Sequence, residues 1–186
     1  MFMNKAYLIV LLVFASFVFA ARPAPGPVVS YTIDLAQGWN LISVPVLNPE
    51  VVEDTCGSNG GLRNFYDFDP TDAHYKRLSS VTAAKTFRGI WYKTDQVCSI
   101  TVSGNQYNDL NGLGRKALHL KKGWNMIGSA SVPLLWNDVK GTCNVVKGEG
   151  PFWFDAFSST SFWLSDTLEP GKGYFIKVDR NCQMGG

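Results

Sequence analysis

The segment Leu35-Ala36-Gln37-Gly38-Trp39-Asn40-Leu41-Ile42-Ser43 recurs as Leu120-Lys121-Lys122-Gly123-Trp124-Asn125-Met126-Ile127-Gly128, 85 residues further along the chain. More landmarks follow in the same order. Cys56 matches Cys143 at an offset of 87, and Phe68-Asp69 matches Phe154-Asp155 at 86. Gly89-Ile90-Trp91-Tyr92-Lys93 matches Gly173-Tyr174-Phe175-Ile176-Lys177, and Cys98 matches Cys182, both at 84. Five ordered landmarks whose offsets drift by only three residues read as a duplication. Self-similarity of this kind constrains the fold more than any local propensity, because each copy must build the same supersecondary unit.

Within each copy the apolar residues alternate with a period of two. Tyr31, Ile33 and Leu35 stand against Thr32 and Asp34, the pattern of a half-buried strand. Trp39 to Val46 continues it beyond a turn at Gly38. Phe65 to Phe68 and His74 to Leu78 flank Asp69-Pro70-Thr71-Asp72, a hairpin with turn residues in its middle. Gly89 to Lys93 and Val97 to Val102 form another pair around Thr94-Asp95-Gln96. The second copy repeats the series at Lys116 to Leu120, Trp124 to Ile127, Phe152 to Phe154, Phe162 to Leu164 and Tyr174 to Val178. Short helical turns fit Val81 to Lys85 and Leu134 to Val139. The expected class is therefore mostly β, with two tandem, homologous, small sheet- or sandwich-like repeats at 31–104 and 116–186. The Asn- and Gly-rich junction at 105–115 is short enough to imply close packing of the two. The first copy ends on Ile100-Thr101-Val102, whereas the second stops soon after Cys182. Either that strand serves both copies, or the second carries an open sheet edge, a site for strand addition by a partner.

The chain begins Met1-Phe2-Met3-Asn4-Lys5 and then runs apolar from Ala6 to Ala21. One positive charge, a short apolar stretch and a small-residue end describe a secretory signal peptide over 1–20. The apolar stretch is too short for a comfortable bilayer span, although an uncleaved anchor stays open. A Pro-rich linker over 21–30 follows, with Pro23, Pro25 and Pro27 breaking any continuing helix. Removing the leader leaves 16 basic residues against 15 acidic ones. So balanced a charge carries no footprint for nucleic acid or an anionic membrane, and no stable membrane span is expected after cleavage. The localisation implied is secreted or cell-surface.

The four cysteines are Cys56, Cys98, Cys143 and Cys182. In an exported chain an even number favours disulfides over metal or redox chemistry, and the absence of a CxxC pair argues against zinc. Four cysteines allow three pairings. Because each copy carries two, the economical pairing is Cys56–Cys98 with Cys143–Cys182, one staple per repeat. The crossed alternative, Cys56–Cys182 with Cys98–Cys143, would require the copies to interleave.

Gly38-Trp39-Asn40-Leu41-Ile42-Ser43-Val44-Pro45, Gly123-Trp124-Asn125-Met126-Ile127-Gly128 and Leu168-Glu169-Pro170-Gly171-Lys172-Gly173-Tyr174-Phe175-Ile176-Lys177 together resemble the "GWN…PGKGY" β-repeats of archaeal and bacterial exported, surface-layer-associated proteins. The first copy departs from that pattern, with Thr86-Phe87-Arg88-Gly89 in place of Pro-Gly-Lys-Gly. The resemblance implies an extracellular or surface accessory protein. It carries over no catalytic or ligand-binding residue.

Chemical candidates are few. His74 and His119 have no counterparts in the other copy, and both read as solvent-facing strand or turn residues; no nucleophile–base pair emerges. Glu50, Glu53, Glu149 and Glu169 lie in polar or turn-rich segments and mark no acid–base pair. No catalytic residue is assigned. Asp67, Asp69 and Asp72 form a D-x-D-x-x-D cluster that could ligate calcium, or could serve the turn's own hydrogen bonds; no other cofactor is indicated. Among the aromatics, Trp39 and Trp124 are expected to fill the two cores. Trp136, Trp153 and Trp163 break the repeat symmetry and are the candidates for a sugar-stacking face. The leading expectation is a non-enzymatic surface protein with a structural, adhesion or assembly role, whose partners are other surface proteins or glycans. The alternative is a carbohydrate-binding module using the aromatics of the second repeat.

Overall fold

The computed structural model describes residues 26–57, 64–107, 118–158 and 160–185. The expected signal peptide at 1–20, half of the expected linker and most of the expected junction lie outside them. The first half contains β1 (Val28–Leu35), β2 (Gly38–Ser43), β3 (Leu47–Asp54), β4 (Asn64–Asp69), β5 (His74–Leu78), β6 (Gly89–Thr94) and β7 (Cys98–Asn105), with a 3₁₀ turn at Val81–Ala83. The second contains β8 (Leu118–Leu120), β9 (Gly123–Ile127), β10 (Leu134–Leu135), the four-residue helix α1 (Trp136–Val139), β11 (Phe152–Asp155), β12 (Ser161–Leu164), β13 (Thr167–Leu168), β14 (Tyr174–Val178) and β15 (Cys182–Met184). The protein is mostly β.

In the first half, a three-stranded antiparallel sheet ordered β1-β7-β3 lies over a four-stranded one ordered β2-β6-β4-β5. Strict alternation in β7 buries Cys98, Ile100 and Val102. These meet Ile33 and Leu35 from β1 and Ile42, Phe65, Ile90 and Tyr92 from the other sheet in one core. Phe65 and Tyr92 stack there with centroids 4.1 Å apart. The second half keeps a four-stranded sheet, β12-β11-β14-β9, but reduces the covering layer to the pairs β15-β8 and β10-β13 with α1. Leu120, Ile127, Ile176 and Met184 form its core with Trp136, and two residues from earlier in the chain, Phe87 and Tyr107, complete it.

The two halves share register as well as order. Trp39 stands opposite Lys93 as Trp124 stands opposite Lys177, and Leu35 opposite Cys98 as Leu120 opposite Cys182. Disulfides join Cys56 to Cys98 and Cys143 to Cys182. The residue before each first cysteine is a threonine with the same role. Thr55 N–H donates to Ser99 O at 3.0 Å and its Oγ accepts from Ser99 N–H at 2.8 Å. Thr142 does the same with Gln183, both at 3.0 Å.

Several expectations are corrected. The segments expected to pair around Thr94-Asp95-Gln96 belong to different sheets, because β6 pairs with β2 and β4 while β7 pairs with β1 and β3. The linker ends earlier than residue 30: Val28 already pairs with Asn105, and Gln106 N–H donates to Pro27 O at 2.8 Å. Strand β3 was not expected at all. The second half does not lack its last strand. Its β15 is a three-residue counterpart of β7, paired with β8 on one side and held on the other by Thr142 and by Gly185 N–H donating to Val139 O at 2.8 Å. Of the two alternatives for this end, a strand shared by both copies or an open edge, neither holds, because β15 is bonded on both sides.

The halves interlock reciprocally. Ser43 N–H donates to Gly171 O at 2.9 Å, and Gly128 N–H donates to Phe87 O at 2.7 Å, residues 43 and 128 being equivalent by the 85-residue offset and 87 and 171 by the 84-residue one. Tyr31 hydroxyl donates to Ser131 O, and Tyr107 hydroxyl to Ser129 O at 2.8 Å.

Candidate functional site

The Gly-Trp-Asn motif decides what the outer faces of the two four-stranded sheets look like. Gly38 and Gly123 adopt φ of 98° and 100°, which a side chain would strain. The turn is then held by the asparagine two residues on. Asn40 Oδ1 accepts from Ala36 N–H at 2.9 Å, and its Nδ2 donates to Ala36 O at 2.8 Å and Gly38 O at 3.2 Å. Asn125 binds Lys121 N–H, Lys121 O and Gly123 O in the same way at 3.1, 2.7 and 2.9 Å. Both asparagines are buried on the inner face of their sheets. Successive strand residues point to opposite faces, so Trp39 and Trp124 point outward. They do not fill the cores: they are 44% and 37% exposed.

The outward faces of the two sheets approach one another and leave an aromatic cleft. Leu41, Phe68 and Met126 are buried at its floor, against Trp91, Phe154 and Phe175. Trp91 is the pivot, with ring centroids 5.2 Å from Phe154, 6.1 Å from Trp39 and 6.3 Å from Phe175. Two adjoining hollows open from it. One of about 530 Å³ is lined by Trp39, Tyr66 and Phe154, the other of about 590 Å³ by Trp124, Phe152, Phe162 and Phe175. Tyr75 and Trp91 line both. Among the described residues, no charged side chain lines either hollow. Lysines stand at the rim instead: Lys93 Nζ lies 5.8 Å from the Trp39 centroid and Lys177 Nζ 5.5 Å from that of Trp124. Tyr75 and Phe162 are about half exposed.

The three symmetry-breaking tryptophans do not form one face. Trp136 is buried in the second core. Trp153 lies on the face that looks toward that core, half-buried, with Lys172 Nζ 4.3 Å over its ring. Trp163 is directly opposite Trp153 and 53% exposed. The cleft uses the other face of β11 and β12, through Phe152, Phe154 and Phe162. A signal for this was present. Trp39-Asn40-Leu41-Ile42 carries apolar residues on both faces, and a strand with two apolar faces has two surfaces to cover.

Of the three aspartates, Asp67 and Asp69 line one polar pocket and Asp72 is not among its lining residues. Asp69 is ion-paired to Lys76 and accepts from Thr71 N–H at 2.9 Å, which holds its carboxyl well below the usual range. Asp72 accepts from His74 N–H at 3.2 Å. Asp67 is half-buried, and that desolvation pushes its carboxyl up despite the opposing pull of Arg88 and Lys85. Among the described residues no three His, Cys, Asp or Glu side chains converge as metal ligands. His74 and His119 are exposed. Glu149 lies 3.5 Å from Lys177, far along the chain from Glu50 and Glu53 on β3. Among the described residues, no helix is long and apolar enough to cross a membrane.

Comparison of the chain with protein-family models, with curated proteins and with solved structures returns no match.

Proposed function

We propose that this protein is exported and works at the cell surface, in adhesion or assembly, by holding a glycan chain in the aromatic cleft rather than by catalysis. The observation that carries this reading is the cleft itself. Contiguous apolar surface left open to water marks an interaction site, since a chain that needed it only for stability would close over it. Sugar rings present flat C–H faces that fit aromatic rings. Their hydroxyls would meet the rim ammoniums of Lys93 and Lys177 and the hydroxyl of Tyr75. The sugar-binding surface is thus transferred from Trp136, Trp153 and Trp163 to Trp39, Tyr75 and Trp124. Export is supported by the apolar leader and by two disulfides, which persist in oxidising compartments.

The test is affinity electrophoresis of the disulfide-intact protein against a panel of neutral and acidic polysaccharides. Trp39→Ala and Trp124→Ala are each expected to weaken binding at least tenfold with little change in stability, because both rings are substantially exposed. Trp163→Ala is expected to bind as the parent does. A parent protein that binds nothing across the panel sinks the glycan reading.

A further inference from the structure

Between the β4–β5 hairpin and the β8–β9 turn lies a polar pocket of about 260 Å³, lined by Asp67, Asp69, Lys76, Lys85, Arg88 and Lys121. Asp69 and Lys76 neutralise one another. What remains is Asp67 sharing the pocket with Lys85, Arg88, Lys121 and the His119 ring, a surplus of positive charge around one carboxylate. Two of these groups are incomplete. Asp67 Oδ1 and the Nε and Nη1 atoms of Arg88 are buried without a hydrogen-bond partner. Buried polar atoms in native folds are almost always satisfied, so these atoms single out Asp67 and Arg88 as groups whose hydrogen bonding the protein alone does not complete.

The other half shows that the fold itself does not require this charged pair. The equivalent positions are Trp153 for Asp67 and Lys172 for Arg88, and there the cation rests on the indole ring at 4.3 Å. The first half thus carries a polar pair, with unmet hydrogen bonds, where a ring and a lysine suffice.

Water meets the unsatisfied atoms of either group; a solute that replaces it must both accept from the Arg88 guanidinium and donate to the Asp67 carboxylate. A bare cation such as calcium is opposed by three positive side chains. A simple anion satisfies Arg88 and leaves Asp67 repelled. A molecule with both a carboxylate and hydroxyl donors satisfies both, and Phe68 lines this pocket as well as the aromatic cleft.

We propose that the pocket binds one acidic sugar residue, a uronate, with its carboxylate toward Arg88, Lys85 and Lys121 and a hydroxyl donating to Asp67. In a chain lying in the cleft, this pocket would select for acidic glycans; that selection rests on the cleft being the glycan site, whereas binding of the single sugar does not. The probes are D-glucuronate, D-glucose and inorganic phosphate, titrated into the disulfide-intact protein by calorimetry and by ¹H–¹⁵N NMR. Glucuronate is expected to bind saturably, at least tenfold tighter than glucose or phosphate, and to shift the Arg88 Nε–H signal. Arg88→Gln and Asp67→Ala are each expected to weaken it at least tenfold. Lys85→Gln and Lys121→Gln, at exposed positions that keep the fold, are expected to weaken it three- to tenfold and serve as the test should the first pair unfold. Glucuronate binding no tighter than glucose, phosphate binding equally well, or indifference of all the variants overturns the proposal. Trp124→Ala separates it from the cleft reading: polymer binding falls while glucuronate binding stays.

Discussion

Gly89 and Gly173 occupy equivalent positions just before the second apolar landmark of each half, and their φ angles are ones any residue adopts. What forbids a side chain is the opposite half. A Cβ added at Gly89 would lie 2.8 Å from Ile127 O, and one at Gly173 would lie 2.7 Å from Ile42 O. Both obstacles are backbone atoms within strands, and they cannot give way without breaking a ladder. Gly38 and Gly123 are the reverse case, with φ of 98° and 100° and nothing within 4 Å of an added Cβ. The two pairs therefore respond differently to the same substitution. Gly123→Ala is expected to cost about 1–2 kcal/mol, the price of a strained backbone alone. Gly173→Ala is expected to cost about 3 kcal/mol or more, as overpacking against an unyielding contact. Chemical denaturation of the two variants measures the difference, and equal losses would show that the halves do not press together at Gly173. The presence of all four glycines was legible as a repeated pattern. Their two distinct reasons were not, because one is set by local backbone conformation and the other by contacts far away in the chain, Gly89 with Ile127 and Gly173 with Ile42.

At the scale of elements, what local periodicity could reveal was revealed. The β4–β5 hairpin around Asp69-Pro70-Thr71-Asp72, the strand β14 and the short helical turns lie where alternation and turn residues put them. Strand β3 escaped because Asn48, Pro49, Glu50, Glu53 and Asp54 give it neither alternation nor β-propensity; it is held by pairing to β7 across two register shifts. The split of β6 and β7 into separate sheets escaped because a short turn suits a hairpin and a crossing between layers equally well. The cleft escaped for a related reason: burial of Asn40 and Asn125 through their turn hydrogen bonds inverts the face on which each tryptophan lies. The disulfides separate the halves in a measurable way. Sequence separations of 42 and 39 residues imply similar loop-entropy contributions, about 4 kcal/mol each. The elements they anchor are unequal, however. Strand β7 has eight residues and a partner on each side, whereas β15 has three residues paired to an equally short β8. In a Cys143→Ala/Cys182→Ala variant, the amides of Leu120 and Gln183 are expected to exchange at least a hundredfold faster relative to the β14 core. In Cys56→Ala/Cys98→Ala, the amides of β7 are expected to keep pace with the core of their own half. Hydrogen exchange under native conditions reads both, and equal local loosening in the two variants would contradict this account.

The whole molecule behaves as one unit if the reciprocal contacts count for as much as the cores. The second core includes Phe87, a residue of the first half, 1% exposed and packed on Tyr107 at 5.3 Å. Phe87 holds that place at φ of 59°, a left-handed conformation where the other half has Gly171. A non-glycine residue there costs about 1–2 kcal/mol, and full burial of a phenylalanine offsets it, since truncating such a ring costs about 3–5 kcal/mol. The departure Thr86-Phe87-Arg88-Gly89 from the Pro-Gly-Lys-Gly pattern is therefore a tether between halves rather than a decayed motif. Unfolding of the parent is expected to be a single transition, with calorimetric and van't Hoff enthalpies equal. Phe87→Ala is expected to lower stability by about 3 kcal/mol, and to do so in both halves at once, even though the side chain leaves the core of only the second. Hydrogen exchange distinguishes the outcomes. If protection in β9 and β14 falls together with that in β2 and β6, the interlock transmits the loss. If β9 and β14 loosen while β2 and β6 keep their protection, the halves fold independently, and the cleft between them would then be a hinge rather than a fixed aromatic surface.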